Sequence, residues 1–317
     1  MEISNFIYDP AIWPFGFSDA FISYLNKDIQ GEVIFIENDG IILPLIIKKK
    51  FIFKIGYFVH PSLRNGLKIS KEDEHSFFEA LSIFLLNQQM VDFILPPTHI
   101  EVFSHIPTKA VGYEIGIIRL DLRNKKEEEV FANFRANFRN LIRKADRDGI
   151  EIKFGIEYFN DFYKIYKENQ VFKDAIYDSE EKIRLIIENP NLRDNITCGI
   201  AINKGKIETA ILNVESGNIA YYLFAGNSTN NHQGSNRLLQ WEIIKYYIKK
   251  GYHYYYMGGA RFSSMKSEKF NNIEFFKMGF GSEIEKGYHF KLILNNRGMD
   301  LWIFQSFYGL LETRIND

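Results

Sequence analysis

The chain has 317 residues, 46% hydrophobic and 25% charged, a globular composition with length enough for two separate cores. A net charge of -1 excludes wholesale coating of nucleic acid, so any polyanion site has to be local. Cys198 is the single cysteine, which excludes an intramolecular disulfide framework; within the strand pattern ITCGIAI it reads as a small buried hydrophobe in a reducing compartment. The first residues, MEISNFIYDP, lack a basic segment leading into an apolar one, and no apolar run reaches membrane-spanning length. The expectation is a soluble, cytoplasmic protein.

In chain order, Pro10, Trp13 and Pro14 mark an irregular aromatic segment through Ser18. Residues 32–37 and 41–47 are β-rich on either side of the hairpin turn Asn38-Asp39-Gly40. Lys48, Lys49 and Lys50 form a polar break before a third strand over 51–59. A helix follows over 72–89 with Phe77, Leu81, Phe84 and Leu85 on one side, then a short strand over 91–95 ended by Pro96-Pro97. Residues 113–122 read as a strand.

The segment 124–149, NKKEEEVFANFRANFRNLIRKADRDG, predicts one long helix. Phe131, Phe134, Phe138, Leu141, Ile142 and Ala145 fall on one face. Asn124 with Glu127 reads as the capping pair, three glutamates sit at the positive end of the helix dipole, and Gly149 is the stop. Arg135, Arg139, Arg143 and Arg147 recur every fourth residue along one flank, which holds no acid except Asp146. The stripe reads either as a solvated face or as an anion site, because like charges four apart repel unless an anion relieves them.

Beyond it come a strand over 150–154 and two short helices over 160–168 and 180–188. The early order then returns: strands over 196–202, 207–214 and 220–225, a helix over 235–250 ended by Gly251, and a strand over 252–257. The repeated order of meander, helix and strand predicts two copies of one α+β unit. Residues 275–280 and 288–294 read as strands, and 301–311 as an apolar C-terminal helix that docks on the first unit rather than on a membrane.

This order is that of the GNAT acyltransferase fold, and three motifs narrow it. Arg143-Lys144-Ala145, then Asp148-Gly149-Ile150-Glu151, resembles the R-x-I-R-K-A-x-x-x-G-V stretch of the FemABX family. Residues 238–245, LLQWEIIK, resemble its LLQW-x-x-I-K helix. Gly251-Tyr252 through Gly258-Gly259, then Phe276-Lys277-Met278-Gly279-Phe280-Gly281, resembles its G-Y-x-x-x-D-x-G-G and F-K-x-G-F-G close. The motifs keep the family's order across residues 120–290, while the first third matches by element order alone.

The resemblance implies an α+β fold of two tandem GNAT-like units, each a mixed, mostly antiparallel sheet flanked by helices. The units are 1–118, with 298–317 docking back on it, and 119–297. It implies an N-acyltransferase that forms an amide on an amine of a cell-envelope precursor by aminoacyl transfer from aminoacyl-tRNA. Residues 160–188 are too short for the tRNA-reaching arm of some members, so the likeness is to the armless, FemX-like ones. Two alternatives stand beside it: acyl-CoA-dependent N-acylation of an amino sugar or lipid precursor of surface polysaccharide, and a non-catalytic module binding RNA or a nucleotide-linked ligand.

Candidate catalytic residues are Lys277, to hold the tetrahedral oxyanion or donor phosphates, and Tyr256, which stands where the family often carries an acid. Tyr222 and Tyr254 are read beside it, as proton donors or as packing. Arg139, Arg143 and Lys144 are the phosphate candidates, arginine's fork suiting bidentate contact. Asn236 opens a helix whose N-terminal amides suit a pyrophosphate, and the backbone at Gly258 and Gly259 completes the binding set. The loop NHQGSN lacks the full Q/R-x-x-G-x-G/A signature of acyl-CoA binding. The seven histidines show no paired metal spacing. The expected donor is aminoacyl-tRNA or acyl-CoA, with no tightly bound cofactor and no metal. The expected partners are a nucleotide- or lipid-linked acceptor, charged tRNA and transient contact with the inner membrane surface.

Overall fold

A computed structural model describes residues 1–59, 61–63, 68–95, 101–108, 110–172, 177–262 and 268–295. The segment expected as a C-terminal helix, with all of 298–317, lies outside the described residues, as do His60, Pro96, Pro97 and His99. The strands are β1 (Glu2–Ser4), β2 (Glu32–Asn38), β3 (Ile41–Lys50), β4 (Phe53–Phe58), β5 (Ser62–Leu63), β6 (Phe93–Leu95), β7 (Ala110–Asp121), β8 (Glu151–Phe154), β9 (Ile196–Asn203), β10 (Lys206–Ser216), β11 (Ile219–Asn227), β12 (Tyr254–Arg261) and β13 (Glu283–Ile293). The helices are α1 (Asp19–Ile29), α2 (Lys71–Asn87), α3 (Glu127–Ala132), α4 (Ala136–Arg147), α5 (Phe159–Phe172), α6 (Glu180–Ile187), α7 (Ser235–Lys250) and α8 (Glu268–Met278).

All the strands join one sheet in the order β1-β2-β3-β4-β6-β13-β7-β12-β11-β10-β9-β8, with β5 on the side of β3. The expected mixed, mostly antiparallel architecture is present, and both meander–helix–strand units can be traced in it. Two pairs are parallel, and each is short. β4 meets β6 only from Ile55↔Phe93 to Tyr57↔Leu95, and β11 meets β12 only from Ile219↔Tyr254 to Tyr221↔Tyr256. Past Tyr221 and Tyr256 the second pair splays apart, β11 staying with β10 and β12 with β7. The position 118/119 falls inside β7, whose two edges bond β12 and β13, so the two units share a continuous sheet there.

Helices cover both faces. On one, α3, α4 and α7 close a core of Phe134, Phe138, Leu239, Tyr247, Tyr255 and Phe280. On the other, α1, α6 and the N-terminal aromatic segment bury Trp13, Phe15, Phe21, Tyr221 and Tyr256. The sequence pattern shows no helix over 19–29, yet α1 forms there: Ser18 Oγ accepts the Phe21 N–H at 3.0 Å, and Ala20, Phe21, Ile22 and Ile29 are buried. Its cap is the signal, and the preceding prolines mask it.

Three local expectations are corrected. The helix expected over 124–149 breaks into α3 and α4, because the Arg135 N–H leaves the helical ladder and donates to Gly279 O at 2.9 Å. Phe134 and Phe138, on either side of the break, still share one core. Its cap is Lys126, whose N–H is taken by Glu129 Oε2 at 2.8 Å, and not Asn124. Lys48, Lys49 and Lys50 continue β3, the turn coming at Phe51 and Ile52. The run 275–280 is helical through Met278 rather than a strand: Phe276 and Phe280 share a face at either period, and so short a run leaves the two open.

One buried acid makes the fold pH-sensitive. Glu215 Oε1 accepts from Thr197 Oγ1 at 2.6 Å and from the Tyr247 hydroxyl at 2.8 Å. Burial pushes its carboxyl up to about 7, against the pull of those hydrogen bonds. A raised carboxyl stabilises the fold below the unfolded value and loses that contribution as pH rises to the folded one. Stability should therefore fall by on the order of 3 kcal/mol between about pH 4.3 and the neutral range. Glu215→Gln keeps an acceptor for both hydroxyls and should flatten this limb in urea titrations taken at several pH values. An unchanged slope would assign the pH dependence elsewhere.

Candidate functional site

The splay between β11 and β12 opens a cleft of about 240 Å³ lined by Tyr221, Tyr222, Leu223, Phe224, Tyr256, Gly258 and Gly259, with Phe21, Tyr24 and Ile186 from α1 and α6. Where two parallel strands part, backbone groups on their facing edges lose their partners, and a ligand can take them. A clasp holds α1 over this opening. Lys182 donates to Asp28 and Asp178 at 2.6 Å each, and the Tyr24 hydroxyl donates to Asp178 at 2.7 Å.

Lys277 does not line this cleft but approaches Gly258, at its edge, from the opposite side of the sheet. It stands in the last turn of α8, its Nζ 5.9 Å from the Tyr222 ring centroid. Gly258 has φ +90°, and a Cβ there would stand 3.0 Å from Lys277 Nζ, so a glycine both permits this backbone and lets the ammonium approach it. Among the described residues Nζ makes no hydrogen bond or ion pair. Burial pushes the ammonium down to about 8, opposed by the charge of Glu274 one turn earlier. A poised, unsatisfied cation beside parted strands is equipped to meet a negative charge that arises there.

The structure brings Lys277 to Gly258 from the α8 side and places Tyr256 on the other face, where it lines the cleft with Gly258 and Gly259. The Tyr256 phenol is buried and meets Arg119, itself bonded to Glu285 at 2.7 Å. Burial first, then the charges of Glu101 and Glu285, push its hydroxyl far up, which unsuits it as a base. Tyr222 flanks Lys277, and Tyr254 packs under Arg119 and Arg123.

Asn236 stands in the first turn of α7. The amides before it are already taken, the Gly234 N–H by His232 Nδ1 at 3.1 Å, the Ser235 N–H by His232 O at 3.0 Å and the His232 N–H by Glu208 Oε2 at 2.9 Å. Glu208 Oε2 also accepts the Ser235 hydroxyl at 2.6 Å, while Asn203 donates to its other oxygen at 2.9 Å. Burial works to raise this carboxyl, but the three hydrogen bonds outweigh it and hold it below the ordinary range. An ionised acid thus sits where an acyl-CoA pyrophosphate would need the amides. The α7 start is also crossed by α4, since a Cβ on Gly234 would come 2.5 Å from Leu141 O.

Along α4, Arg139 is committed to the chain, donating to Ala132 O at 2.6 Å and Phe134 O at 2.5 Å. Arg135 caps Phe275 O at 3.0 Å. Arg143, Lys144 and Arg147 are exposed, and none makes an ion pair among the described residues; Arg143 lies over the Phe131 ring at 5.3 Å. Sequence reasoning passed over Arg237. It packs over Phe138 at 4.5 Å, its Nε is buried without a partner, and burial lowers its pKa. A cation in the first turn opposes the helix dipole, and that was the available signal. Among the described residues no group of three His, Cys, Asp or Glu could hold a metal, and no helix is long and apolar enough to cross a membrane.

Residues 132–268 match the family model described as an acetyltransferase (GNAT) domain. Among solved structures, the chain is similar to FemX, with 13% identity over 92% of this chain and 93% of that one and a TM-score of 0.65. It is also similar to L-PGS from Bacillus licheniformis, with 14% identity over 94% and 96% and a TM-score of 0.57. No curated protein sequence matches the chain.

Proposed function

We propose that this chain, whose residues 132–268 match an acetyltransferase (GNAT) domain and whose fold is similar to that of FemX, transfers an aminoacyl group from aminoacyl-tRNA to an amine on a nucleotide- or lipid-linked cell-envelope precursor. The observation that carries this reading is the division of charge around α4 and α7. Glu208 holds the His232 N–H and the Ser235 hydroxyl in the loop where a CoA pyrophosphate would lie, while Arg143, Lys144 and Arg147 stand exposed on α4, with no ion pair among the described residues. Such a surface suits a polyanion lying across the outside of the protein rather than a pyrophosphate buried in it.

In this reading the acceptor amine enters the cleft and attacks the ester carbonyl. The C–N bond forms, the bond to the ribose oxygen breaks, and the proton lost by the amine ends on that oxygen. Lys277 faces the carbonyl oxygen as it gains charge, beside the backbone of Gly258 and Gly259. The donor is already activated, so position and field supply most of the rate. Arg143 and Lys144 hold phosphates of the tRNA, and Arg237 and Asn236 stand behind them.

The match to an acetyltransferase model favours a second donor, acyl-CoA, and one experiment separates the two. Calorimetry should show weak or absent acetyl-CoA binding, and a gel shift should show charged tRNA bound in a salt-dependent way. Arg143→Ala should weaken tRNA binding by roughly 1.5–3 kcal/mol with the fold intact. Tight acetyl-CoA binding would make acyl-CoA the donor. An Arg143→Ala protein with unaltered tRNA affinity would remove α4 from the donor site.

A further inference from the structure

At the far end of the first unit, β3 closes on Lys48, Lys49 and Lys50, the chain turns through Phe51 and Ile52, and β4 opens with Phe53 and Lys54. The register sets Lys49 directly opposite Lys54, a like-charge pair that weakens a hairpin. Phe51 is 86% exposed and Ile52 80%, so the tip holds two large apolar side chains in solvent. Phe51 does so from φ +55°, a region that disfavours bulky residues. Neither choice helps the fold.

The surroundings extend the pattern. Ile52 and Phe53 join Leu86 and Val91 around a recess of about 450 Å³. Leu86 and Ile83 of α2 are themselves exposed, and the residues closing that helix, Asn87, Gln88 and Gln89, bring no acid. Asp92 is the nearby carboxylate, and it accepts the Lys54 N–H at 2.8 Å.

We propose that this hairpin docks the protein on an anionic phospholipid bilayer. Phe51 and Ile52 enter the boundary between headgroups and acyl chains, and Lys49 and Lys50 lie against the lipid phosphates, while the Lys54 ammonium stays on Gln89 O at 3.0 Å. Apolar side chains at a tip supply burial, the lysines supply attraction to negative lipid, and together they give the two signals that stable surface binding requires. The charge decides the occupant: a second copy would bring the same lysines face to face, whereas an anionic surface complements them. The inference rests on the hairpin alone and is independent of the donor and acceptor proposed above.

The test is sedimentation of the full chain with vesicles of phosphatidylcholine mixed with phosphatidylglycerol, beside vesicles of phosphatidylcholine alone. Binding is expected to the mixed vesicles only, and to weaken with salt. The double variant Phe51→Ser/Ile52→Ser should lose roughly tenfold for each side chain. Lys49→Ser/Lys50→Ser should lose most of the salt dependence. Both pairs are solvent-facing and neither helps the fold, so circular dichroism should match the parent and the thermal midpoint should be no lower. Failure of the parent to sediment with mixed vesicles would overturn the proposal, as would undiminished sedimentation of Phe51→Ser/Ile52→Ser. A parent dimer seen by light scattering, lost in that variant and indifferent to vesicles, would make the hairpin an interface between copies instead.

Discussion

A Lys277→Met enzyme is expected to keep its fold and its acceptor affinity while turnover falls by about 10²–10³-fold, the usual loss on removing one oxyanion donor. The charge on a tetrahedral oxyanion is complete only in the transition state, so a group that meets it lowers the barrier with little ground-state binding. Methionine keeps most of the lysine stem that packs near Tyr222 and Gly258, and deletes the ammonium. Since burial places that ammonium near 8, turnover should also fall as pH rises through that value in the parent, and the variant should lack this limb. A variant that raises the donor's KM as well would place Lys277 on ground-state phosphates. Unchanged turnover would exclude both roles and leave the amides around Gly258 and Gly259 as the remaining donors.

Phe138→Ala is expected to cost about 3–5 kcal/mol of stability, the largest packing loss available near the site. Phe138 is fully buried, with Phe280 at 5.2 Å, Phe276 at 5.9 Å and the Arg237 guanidinium at 4.5 Å above its ring. A Cβ on Gly279 would overlap the same ring, so α8 approaches α4 as closely as its glycine allows. The cavity left by alanine cannot close without moving three helices together. Urea unfolding measures the loss, and a cost below about 1 kcal/mol would mean that the helices repack freely. Phe138→Leu, which fills much of the space, should recover more than half of it.

The order of strands and helices was legible because it rests on period and turn chemistry: 38–40 turned as read, and Gly251 ended its helix. The ordered motifs carried the likeness, and Lys277 and Gly258, from two of the motif segments, meet beside one splay. What was not legible depends on partners distant in sequence. The break at Arg135 is made by Gly279 O, and nothing near residue 135 announces it. Glu208 looks like an ordinary strand acid until the fold sets it against the His232 N–H and the Ser235 hydroxyl at the start of α7. Tyr256 stands at the expected position but on the other face: strand alternation alone would set it on one side with Gly258, and the irregularity in β12 between Tyr256 and Gly259, with Gly258 at φ +90°, turns Gly258 toward Lys277 instead.

The place of β13 governs how such a chain can be made. This late strand bonds β7 along ten residues, from Glu283↔Arg119 to Leu292↔Ala110, and bonds β6 through Leu292 and Ile293. During synthesis the first meander, α2 and β6 emerge with nothing on the far edge of β6, and they wait while nearly two hundred further residues are added. Pairings of such long sequence separation form slowly, and an open apolar edge is a template for other chains. A ribosome-bound fragment ending near residue 280 should thus be the aggregation-prone species, protected by chaperones until the last strand slots between its two neighbours.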